Sequence, residues 1–271
     1  MLVFRVNVPV PRMKILHLLA LTLLLGGCAG GLRIDDRYQS RDQNSRVEFI
    51  VLHYTSSDLP DSLATLTHGG VSAHYLLPAD QPKIYRLVDE HRRAWHAGDS
   101  QWRGRTWLNA SSIGIEIVNP GYQDTPDGRR WHAYPQAQID RLIALLKDLQ
   151  ARHGVAPVNI VGHSDIAPQR KVDPGPLFPW RQLAAAGLIP WPSASAVQQR
   201  LQQLDGRVPE VAWFQHQLER AGYSVPQHGQ LDQATRNVLA AFQMKYRPER
   251  HDGQPDLHSA ALLLALPLPA N

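Results

Sequence analysis

The sequence is almost without cysteine: Cys28 is the single one in 271 residues. No internal disulfide can form, and no thiolate set exists for a closed structural zinc site, which normally takes four ligands. Charge of one sign is scarce as well. The formal net charge is only +4, with no lysine- or arginine-dense run, so the electrostatic footprint of a nucleic-acid binder is missing. Acidic wall polymers or anionic lipids would suit such a mildly basic surface equally well. Charged residues at 19% against hydrophobic ones at 43% describe a globular chain rather than a disordered one. Its length supports one sizeable domain and a small one.

The N-terminal apolar run, residues 15–27, is too short to span a bilayer comfortably. Basic Arg12-Met13-Lys14 precedes it, and small residues close it before Cys28, the layout of a secretory signal. Residues 1–12 do not look like a signal start, so Met13 is the expected initiator. Leu25-Gly26-Gly27-Cys28 resembles a bacterial lipobox, in which the chain is cut before the cysteine and the thiol is lipidated. That resemblance implies a membrane anchor at Cys28. Ala29, where an aspartate would signal inner-membrane retention, implies the periplasmic side of the outer membrane. With Cys28 as mature N-terminus no free thiol remains, which suits an oxidising compartment.

Residues 29–45 are polar and charged and read as a tether. From Val47 the pattern turns to strands: Val47–His53, His74–Leu77, Lys83–Val88 and Ser112–Val118. In the last of these, alternation puts Ile113, Ile115 and Ile117 on one face and Gly114, Glu116 and Val118 on the other. Between Tyr134 and His153 the spacing becomes helical, with Ile139, Leu142, Ile143, Leu145, Leu146 and Leu149 as the stripe and Gly154 as the stop. Val158–Val161 is a further short strand. Strands alternating with helices predict an α/β fold with a mixed central β-sheet flanked by helices. The proline-rich stretch Pro179–Ala196 marks a boundary, placed at 192/193, and residues 193–271 read as a small C-terminal three-helix module.

What is plentiful is histidine, thirteen in all. His53 closes the first strand, His163 follows the last, Glu116 sits on the non-isoleucine face of the fourth, and Asp173 stands before Pro174-Gly175 at the end of the stretch VGHSDIAPQRKVDPG over residues 161–175. Two neutral imidazoles and a carboxylate leave a coordination position open, as catalytic zinc sites do. The same donors also describe non-haem iron, and a lone strand-end histidine is more often a hydrogen-bonded rim residue than a ligand.

Five segments, in order, resemble a known family: His53-Tyr54-Thr55, Ser72-Ala73-His74-Tyr75, Ala94-Trp95-His96-Ala97-Gly98, Ser112-Ile113-Gly114-Ile115-Glu116, and Gly162-His163-Ser164-Asp165 with Lys171-Val172-Asp173-Pro174-Gly175. They look like the zinc N-acetylmuramoyl-L-alanine amidases of the AmpD and AmiD branch, whose fold is shared with peptidoglycan recognition proteins. The lipobox points to the lipoprotein members of that branch. The resemblance runs from about Arg46 to Trp191 and implies a catalytic domain over 46–192. It implies one Zn2+ held by His53, His163 and Asp173, with Glu116 as the acid–base group and Lys171 facing the oxyanion. Tyr54, His74, Trp95 and His96 fall in motifs that line or support the substrate groove.

The implied reaction is hydrolysis of the amide between the lactyl group of N-acetylmuramic or anhydro-N-acetylmuramic acid and the L-alanine of the stem peptide. The partners implied are peptidoglycan and muropeptides, with no nucleic acid and no obligate protein partner. The C-terminal positions Phe214-Gln215, Leu218, Gly222-Tyr223, Gly229, Asp232, Thr235 and Phe242-Gln243 resemble a small helical peptidoglycan-binding domain. Two alternatives stand beside the amidase: a wall-binding protein that does not cut, and a zinc peptidase acting within the stem.

Overall fold

The computed structural model describes residues 34–269; the expected signal segment, Met13 and Cys28 lie outside the described residues. Residues 34–43 carry no helix or strand. Among the described residues no helix is long and apolar enough to cross a membrane.

Strand β1, Phe49–Tyr54, reads FIVLHY and is buried at all but its last position. Strand β6, Ser112–Ile117, lies beside it in parallel. Such strands are covered on both faces, which is why they read as near-continuous apolar runs. Around them the sheet is completed by β2 (Tyr75–Leu77), β3 (Tyr85–Arg86) and β9 (Ile160–Gly162), in the order β3-β2-β6-β1-β9. Only β3 runs antiparallel to its neighbour. The expected strand over Lys83–Val88 shrinks to two residues because it forms the sheet edge, paired on one side only.

One face of the sheet meets helix α2, Gln136–His153, whose Ile139, Leu142, Leu146 and Leu149 recur at helical spacing and bury against Ile50, Leu52, Ile113, Ile115 and Ile117. The helix ends at Gly154, which takes the left-handed conformation (φ 70°) that glycine adopts without a Cβ penalty. The other face presents Phe49 and Val51. These join Val161, Ile166 and Trp102 in one cluster with Phe214, Leu218 and Phe242 of the C-terminal helices. The described residues from Asn44 onward accordingly form one compact unit.

The three expected C-terminal helices are Val211–Ala221, Gln233–Tyr246 and Leu257–Ala265. A fourth, Ala194–Leu204, precedes them, starting at the very end of the stretch read as a composition break. Ser193 starts it by accepting the Ala196 N–H at 3.1 Å, a serine N-cap that the surrounding prolines disguise. The stretch 161–175 is likewise more ordered than a loop: His163–Ile166 is one helical turn, begun where Gly162 N–H donates to Asp165 Oδ2 at 2.8 Å. A short hairpin pairs β4 (Gln101–Trp102) with β5 (Arg105–Thr106); helix α1, Leu59–His68, and the hairpin of β7 (Tyr122–Thr125) with β8 (Gly128–Trp131) complete the part that frames the site.

Candidate active site

Strands β1, β6 and β9 run in parallel, so their C-terminal ends share one edge of the sheet, where open α/β sheets place their ligands. His53 stands at that end of β1, Glu116 is its register partner on β6, and His163 follows β9 directly. Asp173 returns to the same point because Ser164 N–H donates to the Asp173 carbonyl at 2.8 Å. Gly162 permits that return: a Cβ there would lie 2.7 Å from Pro174 Cδ.

The three donor atoms converge. His53 Nδ1 and His163 Nδ1 are 2.9 Å apart, and Asp173 Oδ2 is 3.2 and 3.1 Å from them. Tautomers follow from the far side of each ring. His163 Nε2–H donates to the Ala97 carbonyl at 3.2 Å. His53 Nε2–H donates to His96 Nδ1 at 3.1 Å, His96 Nε2–H to Ser112 Oγ at 3.0 Å, and the Ser112 hydroxyl to the Leu108 carbonyl at 2.6 Å. Each relay fixes its proton away from the cluster, leaving bare lone pairs on both Nδ1 atoms opposite a carboxylate. Three lone pairs this close repel one another unless a cation lies among them. A tetrahedral ion with bonds of about 2.0–2.2 Å needs donors roughly 3.3 Å apart, so the set fits one metal ion.

Burial shapes the electrostatics. His53, His163 and Asp173 are almost inaccessible to solvent. Burial, with His163 alongside, pushes the His53 imidazole down to about 4, keeping it neutral and able to ligate. Burial alone would raise the Asp173 carboxyl, but His163 and His53 outweigh it and hold it well below the usual carboxylate range. Glu116 differs: its Oε2 is buried with no hydrogen-bond partner. Burial, then the Asp173 charge, push it well above the ordinary glutamate value, against the opposing pull of Lys171. A carboxylate left this basic can take and return a proton.

These groups line a cleft of about 540 Å³, together with Tyr54, Trp95, His96 and Lys171. Trp95 is 52% exposed and carries the Arg93 guanidinium 4.2 Å from its ring centre, so it offers an aromatic platform at the rim. Tyr54 is half-buried, and burial with the Asp173 charge raises its hydroxyl pKa. His74 is the exception among the expected groove residues. It is fully buried behind His96, ring centres 5.8 Å apart, and does not line the cleft. Its Nδ1 accepts the Gly114 N–H at 3.0 Å and its Nε2–H donates to the Arg92 carbonyl at 3.1 Å. It is therefore a supporting residue, not one that touches a substrate.

Sequence reasoning passed over Arg170, Tyr122 and Asn109. Arg170 lines the cleft beside Lys171 and donates to the Asp99 carbonyl at 2.6 Å. Tyr122 reaches the cleft from the β7–β8 hairpin, under the guanidinium of Arg129. Asn109 Oδ1 accepts the N–H groups of His96 and Ala97 at 3.0 and 2.8 Å, fixing the loop that supports both imidazoles. Arg170's place next to Lys171 was a signal in plain view.

Comparison with known proteins bears on the same residues. Residues 43–176 match the family model described as N-acetylmuramoyl-L-alanine amidase, and residues 207–261 match one described as a peptidoglycan binding domain. N-acetylmuramoyl-L-alanine amidase AmiD of Escherichia coli is 44% identical over 267 residues, covering 92% of this chain and 95% of its own. The solved structure of AmiD from E. coli, in complex with the substrate anhydro-N-acetylmuramic acid-L-Ala-D-gamma-Glu-L-Lys, superposes with a TM-score of 0.79 over 88% of this chain and 95% of that one. AmpDh3 from Pseudomonas aeruginosa, solved in complex with anhydromuramic pentapeptide, is 39% identical with a TM-score of 0.80, covering 87% of this chain and 98% of that one.

Proposed function

The chain belongs to the N-acetylmuramoyl-L-alanine amidase family, and on that premise we propose that His53 Nδ1, His163 Nδ1 and Asp173 Oδ2 hold one zinc ion beside Glu116 and Lys171. The protein hydrolyses the amide joining the lactyl group of anhydro-N-acetylmuramic or N-acetylmuramic acid to the L-alanine of the stem peptide, in cell-wall turnover. The observation that carries this is the convergence of three lone pairs within 3.2 Å beside an unpartnered buried carboxyl oxygen.

When bound, zinc supplies a water made acidic enough to attack near neutral pH and polarises the scissile carbonyl. Glu116 Oε2 takes the proton of the attacking water and returns it to the departing amine of L-alanine. Its raised pKa suits both transfers. Lys171 places its ammonium where the carbonyl oxygen gains negative charge, an interaction typically worth about 3 kcal/mol in the transition state. Trp95 and Tyr54 form walls of the cleft along which the sugar and peptide lie.

The lipobox-like Leu25-Gly26-Gly27-Cys28 supports a lipid anchor at Cys28 on the periplasmic side of the outer membrane. The helices matching the peptidoglycan-binding model support wall contact by residues 193–271. Insoluble sacculi should then retain the Glu116→Ala chain with or without chelator; release on chelation would deny those helices a part in wall binding. For the reaction, mass analysis of treated muropeptides should show free stem peptide and unsubstituted sugar. Shortened stems would mean a peptidase, and an unchanged profile a binder.

A further inference from the structure

A second buried polar cluster lies next to the site and is not used by the chemistry above. Asp165, 1% exposed, stands two residues after His163. Its Oδ2 accepts the Lys245 ammonium at 2.8 Å and the Gly162 N–H at 2.8 Å, and its Oδ1 accepts the Tyr223 hydroxyl at 2.7 Å. Tyr223 and Lys245 both belong to the C-terminal helical part, 58 and 80 residues away in sequence. Lys245 is itself buried, its Nζ 4.4 Å from the ring centre of Trp180, and the Trp180 ring also packs against Gly162.

We propose that Lys245 and Tyr223 are positioning residues for the metal centre: by holding Asp165 they fix the Gly162 peptide and hence the direction from which His163 presents Nδ1. The proposal rests on the metal reading given above. One carboxylate, that of Asp165, serves two purposes. Oδ2 caps the turn that begins at His163, while the two charge-bearing or hydroxyl donors that hold the carboxylate in place come from the C-terminal helices. Seating those helices and seating the ligand are therefore the same set of bonds. A buried ion pair contributes little net stability compared with apolar groups of the same shape, but it does restrict geometry. If the ammonium is removed, the carboxylate loses the donor that holds it in place, and the Gly162 N–H loses a fixed acceptor. Ser164 N–H on the Asp173 carbonyl carries the displacement to the third ligand.

The test uses the full chain with zinc affinity, measured by competition with a chromogenic chelator, as the readout. The visible spectrum of the Co2+-substituted protein reports ligand geometry independently of turnover. Lys245→Met is expected to weaken zinc binding about tenfold or more, the range seen when outer-shell support of a ligand is lost, and to shift the Co2+ bands. Tyr223→Phe should move both in the same direction by less. Unchanged affinity and spectrum in a folded Lys245→Met chain would overturn the proposal, leaving the cluster as a clasp between helices and sheet. Should that variant not fold, Tyr223→Phe and the charge-neutral pair Asp165→Asn/Lys245→Met decide in the same way. Wild-type chain that binds no zinc would instead defeat the metal reading itself, a distinct result.

Discussion

His53 and Glu116 are register partners on adjacent parallel strands, so a candidate metal ligand and a carboxyl oxygen without a partner face the same cleft side by side. Because Glu116 holds no structural hydrogen bond at Oε2, removing it should cost chemistry rather than metal. Glu116→Ala is expected to lower kcat by roughly 10²–10⁴, the usual contribution of a positioned acid–base group, while elemental analysis still finds the ion bound. Retention of most activity would move the proton transfer to another residue.

The relay from His53 through His96 to Ser112 predicts a role for groups that never touch the ion. His96→Ala should weaken metal binding about 10–100-fold, since the His53 ring loses the acceptor that orients it. Gly114→Ala should act in the same direction, because its Cβ would stand 2.3 Å from the His96 ring and force it aside. The added methyl should also destabilise the fold by about 1–3 kcal/mol. Chelator competition and thermal melts separate the two effects.

His74 predicts a pH dependence. Burial, with the Arg46 charge opposing protonation, pushes its imidazole down to about 4. A histidine whose folded pKa lies below its unfolded value of about 6.5 takes up its proton first in the unfolded chain. Stability should therefore fall as pH drops from about 6.5 toward 4, as protonation of Nδ1 would break the bond from Gly114 N–H. Urea midpoints of the metal-free chain at pH 7, 5.5 and 4.5 should show this decline, and His74→Gln should make it shallower. An unchanged slope would mean that His74 is already accessible to protons in the folded state.

Much of this arrangement is legible before folding. The apolar runs of β1 and β6 read as buried strands, with His53 and Glu116 one residue from their ends, and His163 follows the shorter run of β9. The stripe of α2 and its stop at Gly154 follow from spacing alone. Other parts leave weak traces. The Tyr122–Trp131 hairpin is mostly exposed and polar, so it lacks the apolar alternation by which strands are recognised, although Asp127-Gly128 marks its turn. His74 shares a motif with groove residues, yet its ring is committed to the backbone of β6, which only the packing reveals. The Asp165–Lys245 pair spans 80 residues, and no local pattern joins two charges at that distance.

Zinc-edge X-ray absorption on the purified chain, beside the Asp173→Ala variant, tests the central claim most directly. The account predicts about one zinc per wild-type chain, with two imidazole nitrogens and a carboxylate oxygen at roughly 2.0–2.2 Å and a fourth light ligand. It also predicts loss of the ion when Asp173 is replaced. Full zinc in that variant with an unaltered spectrum would place the ion elsewhere and contradict the assignment of His53, His163 and Asp173.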